Sequence, residues 1–364
     1  MLIAPRYFWG GGRLLSGIGI EVEGGDVRQV RPLGEDTPDW RPHLAMPGAS
    51  DLQVNGGGGV LVNADPTPRG LRAVQAAHAR LGTAEIMPTV ITDAPEVLDA
   101  AADAILAVRD EPGFLGLHVE GPHLAAERRG THDAAHIRPL DRRTVDLVAR
   151  LRAEGVRVMV TLAPERAEPA LLAELVATGA LVSAGHSAAT IEETRAALEA
   201  GVGCFTHLFN AMPPMTSRAP GILAAAILSD APCSIIADGI HVGWDMLRLA
   251  LAARPKGAVT FLVSDAMPTV GGPDSFTLYG RTIHVEDDRL VNAEGALAGA
   301  HVDMLTSLAR LHRNADVPLE RCVAMATDLP RRVIGLPPVR IGPGTDAAAI
   351  AFLDPDLAQV AMPG

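Results

Sequence analysis

From residue 46 onward, short apolar runs alternate with Ala-, Leu-, Glu- and Arg-rich stretches of helical period, and few folds accept that rhythm. Eight runs read as strands: 46–54, 83–90, 114–119, 156–162, 181–185, 204–206, 233–237 and 259–263. Helical stretches such as 70–81, 141–154, 169–178 and 190–200 fall between them. Strands that alternate with helices form a parallel sheet, because each crossover returns the chain to the same end of the sheet. Eight repeats predict an α/β chain closed into a (β/α)8 TIM-like barrel over 46–337, with an open doubly wound sheet as the competitor; a barrel typically needs about 250 residues before insertions.

The first 45 residues follow another pattern, short alternating runs broken by Gly10 to Gly12, Gly24, Gly25 and Gly34, which predicts a small β lobe without a long helix. Residues 275–292 read as an inserted hairpin, and 347–353 as strand again. The tail, 338–364, is therefore expected to rejoin residues 1–45 in one β-sandwich lobe formed by both chain ends. The run Gly56 to Gly59 lacks the Lys-Ser/Thr of a phosphate loop and reads as a turn leaving the first strand.

Composition removes several functions. A net charge of -12 with no basic run excludes a nucleic-acid surface, and 3% aromatic residues leave little for stacking on bases. Any phosphate must be met by a few local cations. Cys204, Cys233 and Cys322 lack CxxC spacing, so neither disulfides nor a thiolate metal site is expected. Residues 1–13 offer no apolar core for secretion, no run of about 18 apolar residues occurs, and a reducing cytoplasm is the expected location.

Five runs end in a side chain that an apolar strand has no reason to carry: Glu120, His186, His207, His241 and Asp265. Singly, each reads as a cap or a satisfied hydrogen-bonding group. Together they mean more, since all C-terminal strand ends of a barrel converge on one mouth. Glu120, His186 and His207 make an N2O donor set suited to one divalent ion per subunit, Zn2+ first, with Fe2+ or another divalent ion also accommodated. A cation there would lower the pKa of a water from near 16 to about 7, and Asp265 could take that proton and pass it to a leaving nitrogen. A hydrolase is the expected class.

The segments Leu117-His-Val-Glu-Gly-Pro122, Gly130-Thr-His132, Ser183-Ala-Gly-His-Ser187, Thr206-His-Leu-Phe-Asn-Ala-Met212, Asp238-Gly-Ile-His241 and Ser264-Asp-Ala266 resemble, in order and spacing, the N-acetylglucosamine-6-phosphate deacetylases of the amidohydrolase superfamily. The resemblance covers almost the whole chain. It implies hydrolysis of the acetamide of N-acetylglucosamine 6-phosphate, with Glu120, His186 and His207 as metal ligands and Asp265 as proton acceptor and donor. It implies that Thr131 and His132 meet the acetyl group or sugar hydroxyls, that Asn210, Ala211, Arg218 and His241 hold the sugar phosphate, and that the turn Leu297, Ala298, Gly299 touches substrate through its backbone. It also implies a homodimer in which Arg218 and His241 serve the neighbouring subunit. Read without it, Arg218 is a solvated loop cation and His241 a cap on the helix beginning near Trp244.

Many amidohydrolases carry HxH on the first strand for a second metal, where this chain has Gln53 and Asn55. Neither is a strong ligand, so a single-metal site is expected. Arg218-Ala-Pro-Gly departs from the Arg-Glu-Pro-Gly of the resemblance. A deacetylase for the galacto epimer, a cyclic-amide hydrolase and a non-catalytic sugar-phosphate binder remain the alternatives, because a fold alone does not prove activity.

Overall fold

The computed structural model describes residues 1–291 and 297–363. Eight parallel strands, β1 (Ala49–Val54), β2 (Thr83–Ile91), β3 (Leu117–Glu120), β4 (Val158–Leu162), β5 (Leu181–Ala184), β6 (Cys204–Phe205), β7 (Cys233–Ile235) and β8 (Thr260–Leu262), follow one another in a single sheet in chain order. All eight lie within or beside the runs read from the sequence. The barrel closes between β8 and β1 with little ladder: the Asp265 amide donates to the Gln53 carbonyl (3.0 Å), and Val54 bridges Ala266 in parallel. A side chain completes the seam, where the buried Asp51 carboxylate accepts the Ser264 amide (3.2 Å), the Ser264 hydroxyl and the Gln53 amide (3.1 Å).

Met87, Met159, Cys204 and Phe261, from the four even-numbered strands, belong to one buried apolar cluster, the layered filling of a barrel of this kind. Two residues further along the same strand faces stand Thr89, Thr161 and Thr206, so the next layer toward the strand C-termini is polar. There His118 Nε2 meets Thr161 Oγ1 (2.7 Å), Thr161 meets Thr206 (2.7 Å), and Thr206 meets Ser183 (2.6 Å). Burial keeps His118 neutral by pushing its pKa down to about 4.

Local signals set the helices on the outside. Asp141 caps Arg142–Ala153 by accepting the Thr144 amide, and Thr190 with Glu193 forms a capping box at Ile191–Glu199. The lobe uses both chain ends: Ile350–Leu353 pairs antiparallel with Leu44–Pro47, which pairs with Tyr7–Gly10. Its core holds Ile3, Phe8, Ile20, Val27, Ile350 and Phe352. Met46 thus lies inside a lobe strand, and the change-over to the barrel falls at Gly48, where a Cβ would stand 2.6 Å from that of Ala84.

The inserted segment differs from a hairpin. It is an antiparallel meander of β9 (Ser275–Leu278), β10 (Arg281–Glu286), β11 (Arg289–Val291) and β12 (Leu297–Ala300). Asn292, the expected end of the hairpin, lies outside the described residues. Leu297 to Gly299, expected as a turn, is ladder instead, because Leu297 pairs with Val291 and Ala300 with Arg289. No helix among the described residues is long and apolar enough to cross a membrane, and the three cysteines are buried and free.

Candidate active site

The residues that end the strands leave them abruptly. His186, His207 and Asp265 have φ of 49°, 32° and 54°, left-handed values that a non-glycine residue adopts at a cost of order 1–3 kcal/mol. The kinks turn these side chains over the barrel axis, where they meet Glu120 from the end of β3. His207 Nε2 lies 2.9 Å and His186 Nε2 3.2 Å from Glu120 Oε1, and the two nitrogens are 3.1 Å apart. Lone pairs crowded so closely repel one another unless a cation sits between them, so the trio fits a divalent ion. His186 Nδ1 donates to the Arg128 carbonyl (2.8 Å), which turns the Nε2 lone pair toward the centre.

Asp265 stands beside this trio. Gln53 Nε2 donates to both Glu120 Oε1 (3.0 Å) and Asp265 Oδ1 (3.1 Å), and Asn55 Nδ2 adds a bond to Asp265 Oδ1 (2.7 Å). The two residues standing where HxH was sought are therefore donors that orient carboxylates. Burial pushes the Glu120 carboxyl up, but its close contacts with the His186 and His207 imidazoles outweigh it and hold the group well below the usual carboxylate range. Burial and then the Glu120 charge push Asp265 up to about 6, the behaviour of a carboxylate suited to accept a proton and return it.

A cavity of about 220 Å3 opens over these groups. Glu120, Thr131, His132, His186, His207, Asn210, Ala211, His241, Asp265, Leu297 and Gly299 line it, together with Asn55, Ile91, Gly130 and Met267. His241 is held by Asp238, Nδ1 to Oδ2 at 2.6 Å, while Asp238 also accepts the amides of Ile240 and His241. Two expected contacts stand outside the wall. Ala298 alternates away from its neighbours into the meander core, as strand period dictates, and Arg218 is exposed on the loop before Gly221–Leu228.

A donor atom of His132 also lies within 4.8 Å of donor atoms of Glu120 and His186, which makes a second possible trio. The trio with His207 is the better cage. Its distances are 2.9–3.2 Å, whereas His132 turns Nδ1 to Thr92, 2.8 Å from Oγ1. Burial, reinforced by His186, keeps the His132 ring neutral by lowering its pKa to about 3. Thr92 carried no sequence signal, being one threonine among many just past an apolar strand.

The family model that describes the Amidohydrolase family matches residues 44–362. The chain belongs to the amidohydrolase family. This amidohydrolase is 39% identical over 340 residues to an N-acetylgalactosamine-6-phosphate deacetylase of Shewanella sp. (strain ANA-3), covering 90% of this chain and 85% of the relative. It is 30% identical over 334 residues to an N-acetylglucosamine-6-phosphate deacetylase of Haemophilus influenzae, covering 89% and 87%. Its fold matches the crystal structure of N-acetylglucosamine-6-phosphate deacetylase from Pasteurella multocida with a TM-score of 0.88 at 29% identity, over 98% of this chain and 96% of the other. Metal dependence belongs to this family, and the Glu/His group of the amidohydrolase is where an ion would be held.

Proposed function

We propose that the protein hydrolyses the acetamide of N-acetyl-D-glucosamine 6-phosphate to D-glucosamine 6-phosphate and acetate. The observation that carries the reading is the convergence of Glu120, His186 and His207 at 2.9–3.2 Å beside Asp265, in a cavity that the Asp238-bound His241 also lines. Held by Glu120, His186 and His207, a divalent ion, Zn2+ in this reading, supplies carbonyl polarisation and a water acidic enough to deprotonate near neutral pH. The Asp265 carboxylate, whose Oδ1 is fixed by Gln53 and Asn55, accepts the proton of the attacking water and returns it to the nitrogen as the C–N bond breaks. In this reading His132 meets the acetyl oxygen, and Thr131, Asn210, Ala211, Leu297 and Gly299, which line the same cavity, supply the rest of the substrate wall.

His241 gives the phosphate a local donor that an acidic protein otherwise lacks. In this reading the protein is a cytoplasmic homodimer, and Arg218, exposed outside the cavity of its own chain, reaches the neighbouring site. A second reading, the galacto epimer as substrate, is favoured by the higher identity to the Shewanella relative, 39% against 30%.

Acetate release tests both readings. Purified protein is given each epimer of the 6-phosphate and the unphosphorylated sugars, with and without prior chelation. Chelator-sensitive release that requires the phosphate is expected, and the ratio of kcat/KM decides the epimer. Release that survives metal removal, or none from any of these sugars, would overturn the proposal.

A further inference from the structure

Tyr279 occupies the turn between β9 and β10, on the inserted meander, with φ of 48°; its hydroxyl nevertheless donates to the backbone carbonyl of Thr92, just past β2. Thr92 in turn sets two groups against one atom. Its Oγ1 lies 2.8 Å and its backbone nitrogen 3.3 Å from His132 Nδ1. A backbone N–H only donates, so its long contact weights Nδ1 toward presenting its lone pair, the shorter bond from the hydroxyl secures it, and a neutral ring then carries its proton on Nε2. Thr92 has little room to shift: it is 1% exposed, and a Cβ on Gly121 would stand 2.3 Å from its Oγ1.

We propose that Tyr279 and Thr92 form a latch through which the meander holds His132 in its Nε2–H tautomer, as a hydrogen-bond donor to the cavity rather than a further metal ligand. The tautomer matters because a His132 nitrogen lies within 4.8 Å of the Glu120 and His186 donors. In the opposite tautomer the Nε2 lone pair would compete for the cation and close its open position; with the proton on Nε2, the ring repels a cation and offers a donor to an oxygen that gains negative charge. Thr92 and Tyr279 are positioning residues, since neither lines the cavity. The inference deepens the proposed function and rests on its role for His132.

Two readouts test the latch. In histidine labelled with 15N, ring nitrogen–proton correlations, with His132 assigned from His132→Gln, are expected to show a bare Nδ1 and a protonated Nε2. Thr92→Val should blur this into a tautomer mixture, Thr92→Ser should keep it. In acetate release, Thr92→Val should lower kcat about tenfold with KM within about twofold, and Thr92→Ser should recover to within about threefold of the parent. Tyr279→Phe should cost about threefold, and the double variant should be no slower than Thr92→Val alone, because both act through one contact. A protonated Nδ1 in the parent, or a Thr92→Val protein with unchanged spectrum and kcat, overturns the latch. Should the parent release no acetate at all, the proposed function falls while the spectra still decide the tautomer.

Discussion

The two sides of the cavity are built differently. On the barrel side, Glu120, His186, His207 and Asp265 sit at or just past the ends of hydrogen-bonded strands; the last three are kinked into left-handed backbone, and Gln53 and Asn55 tie the two carboxylates. On the meander side, Leu297 and Gly299 belong to a strand that is the edge of its own sheet, and Tyr279 comes from a turn. A strand end tied by converging hydrogen bonds holds an atom within the tolerance that proton transfer demands, whereas an edge and a turn tolerate change. The difference suggests that chemistry is written on the barrel side and substrate shape on the meander side.

That division can be broken by experiment. Asp265→Asn should lower kcat by about 10²- to 10⁴-fold while metal content, measured by elemental analysis, stays at the parent level. A variant that lost the metal as well would make Asp265 part of the cage and blur the roles on the barrel side. Gln53→Ala, which removes the donor shared by Glu120 and Asp265, should cost about 10- to 100-fold in kcat with little change in KM.

Asp51 sharpens the contrast through stability. Burial pushes its carboxyl up to about 7, against the pull of its bonds from Ser264 and Gln53. The folded protein therefore keeps a proton that the unfolded chain has already released above about pH 4, and this contribution to stability is present at low pH and lost as pH rises through 7. Between pH 6 and 8 the parent should lose about 1 kcal/mol relative to Asp51→Asn, read from denaturant midpoints at each pH. A difference independent of pH would mean that the seam carboxylate is ionised throughout. Leu297→Ala should have the smallest effect, a KM change of a few-fold with kcat held, because it trims apolar wall without touching a reacting group. If it lowered kcat as far as Asp265→Asn does, the division between the two sides would fail.

Much of the site was legible without coordinates because it is written in single positions: a charged or imidazole residue ending an apolar strand stands out against its own neighbours. The meander was only half legible. Residues 275–291 alternate as strands do, but β12 pairs back through a bulge that no local pattern announces, and this turned an expected turn at Leu297 into ladder. Arg218 was named from the family motif, while its local reading, a solvated loop cation, agrees with its exposed place outside the cavity of its own chain.

The sequence by itself determined the eight strand positions, the split lobe and the residues at the strand ends, since period, capping and burial preference are local and repeat along the chain. Tertiary structure alone decided what those residues do for one another. Gln53 as a shared donor, Asp51 as the barrel seam and Tyr279 behind Thr92 join atoms 67, 213 and 187 residues apart. Each is a hydrogen bond of fixed length and direction between polar residues of ordinary kind, and only closure of the barrel and docking of the meander bring donor and acceptor within reach.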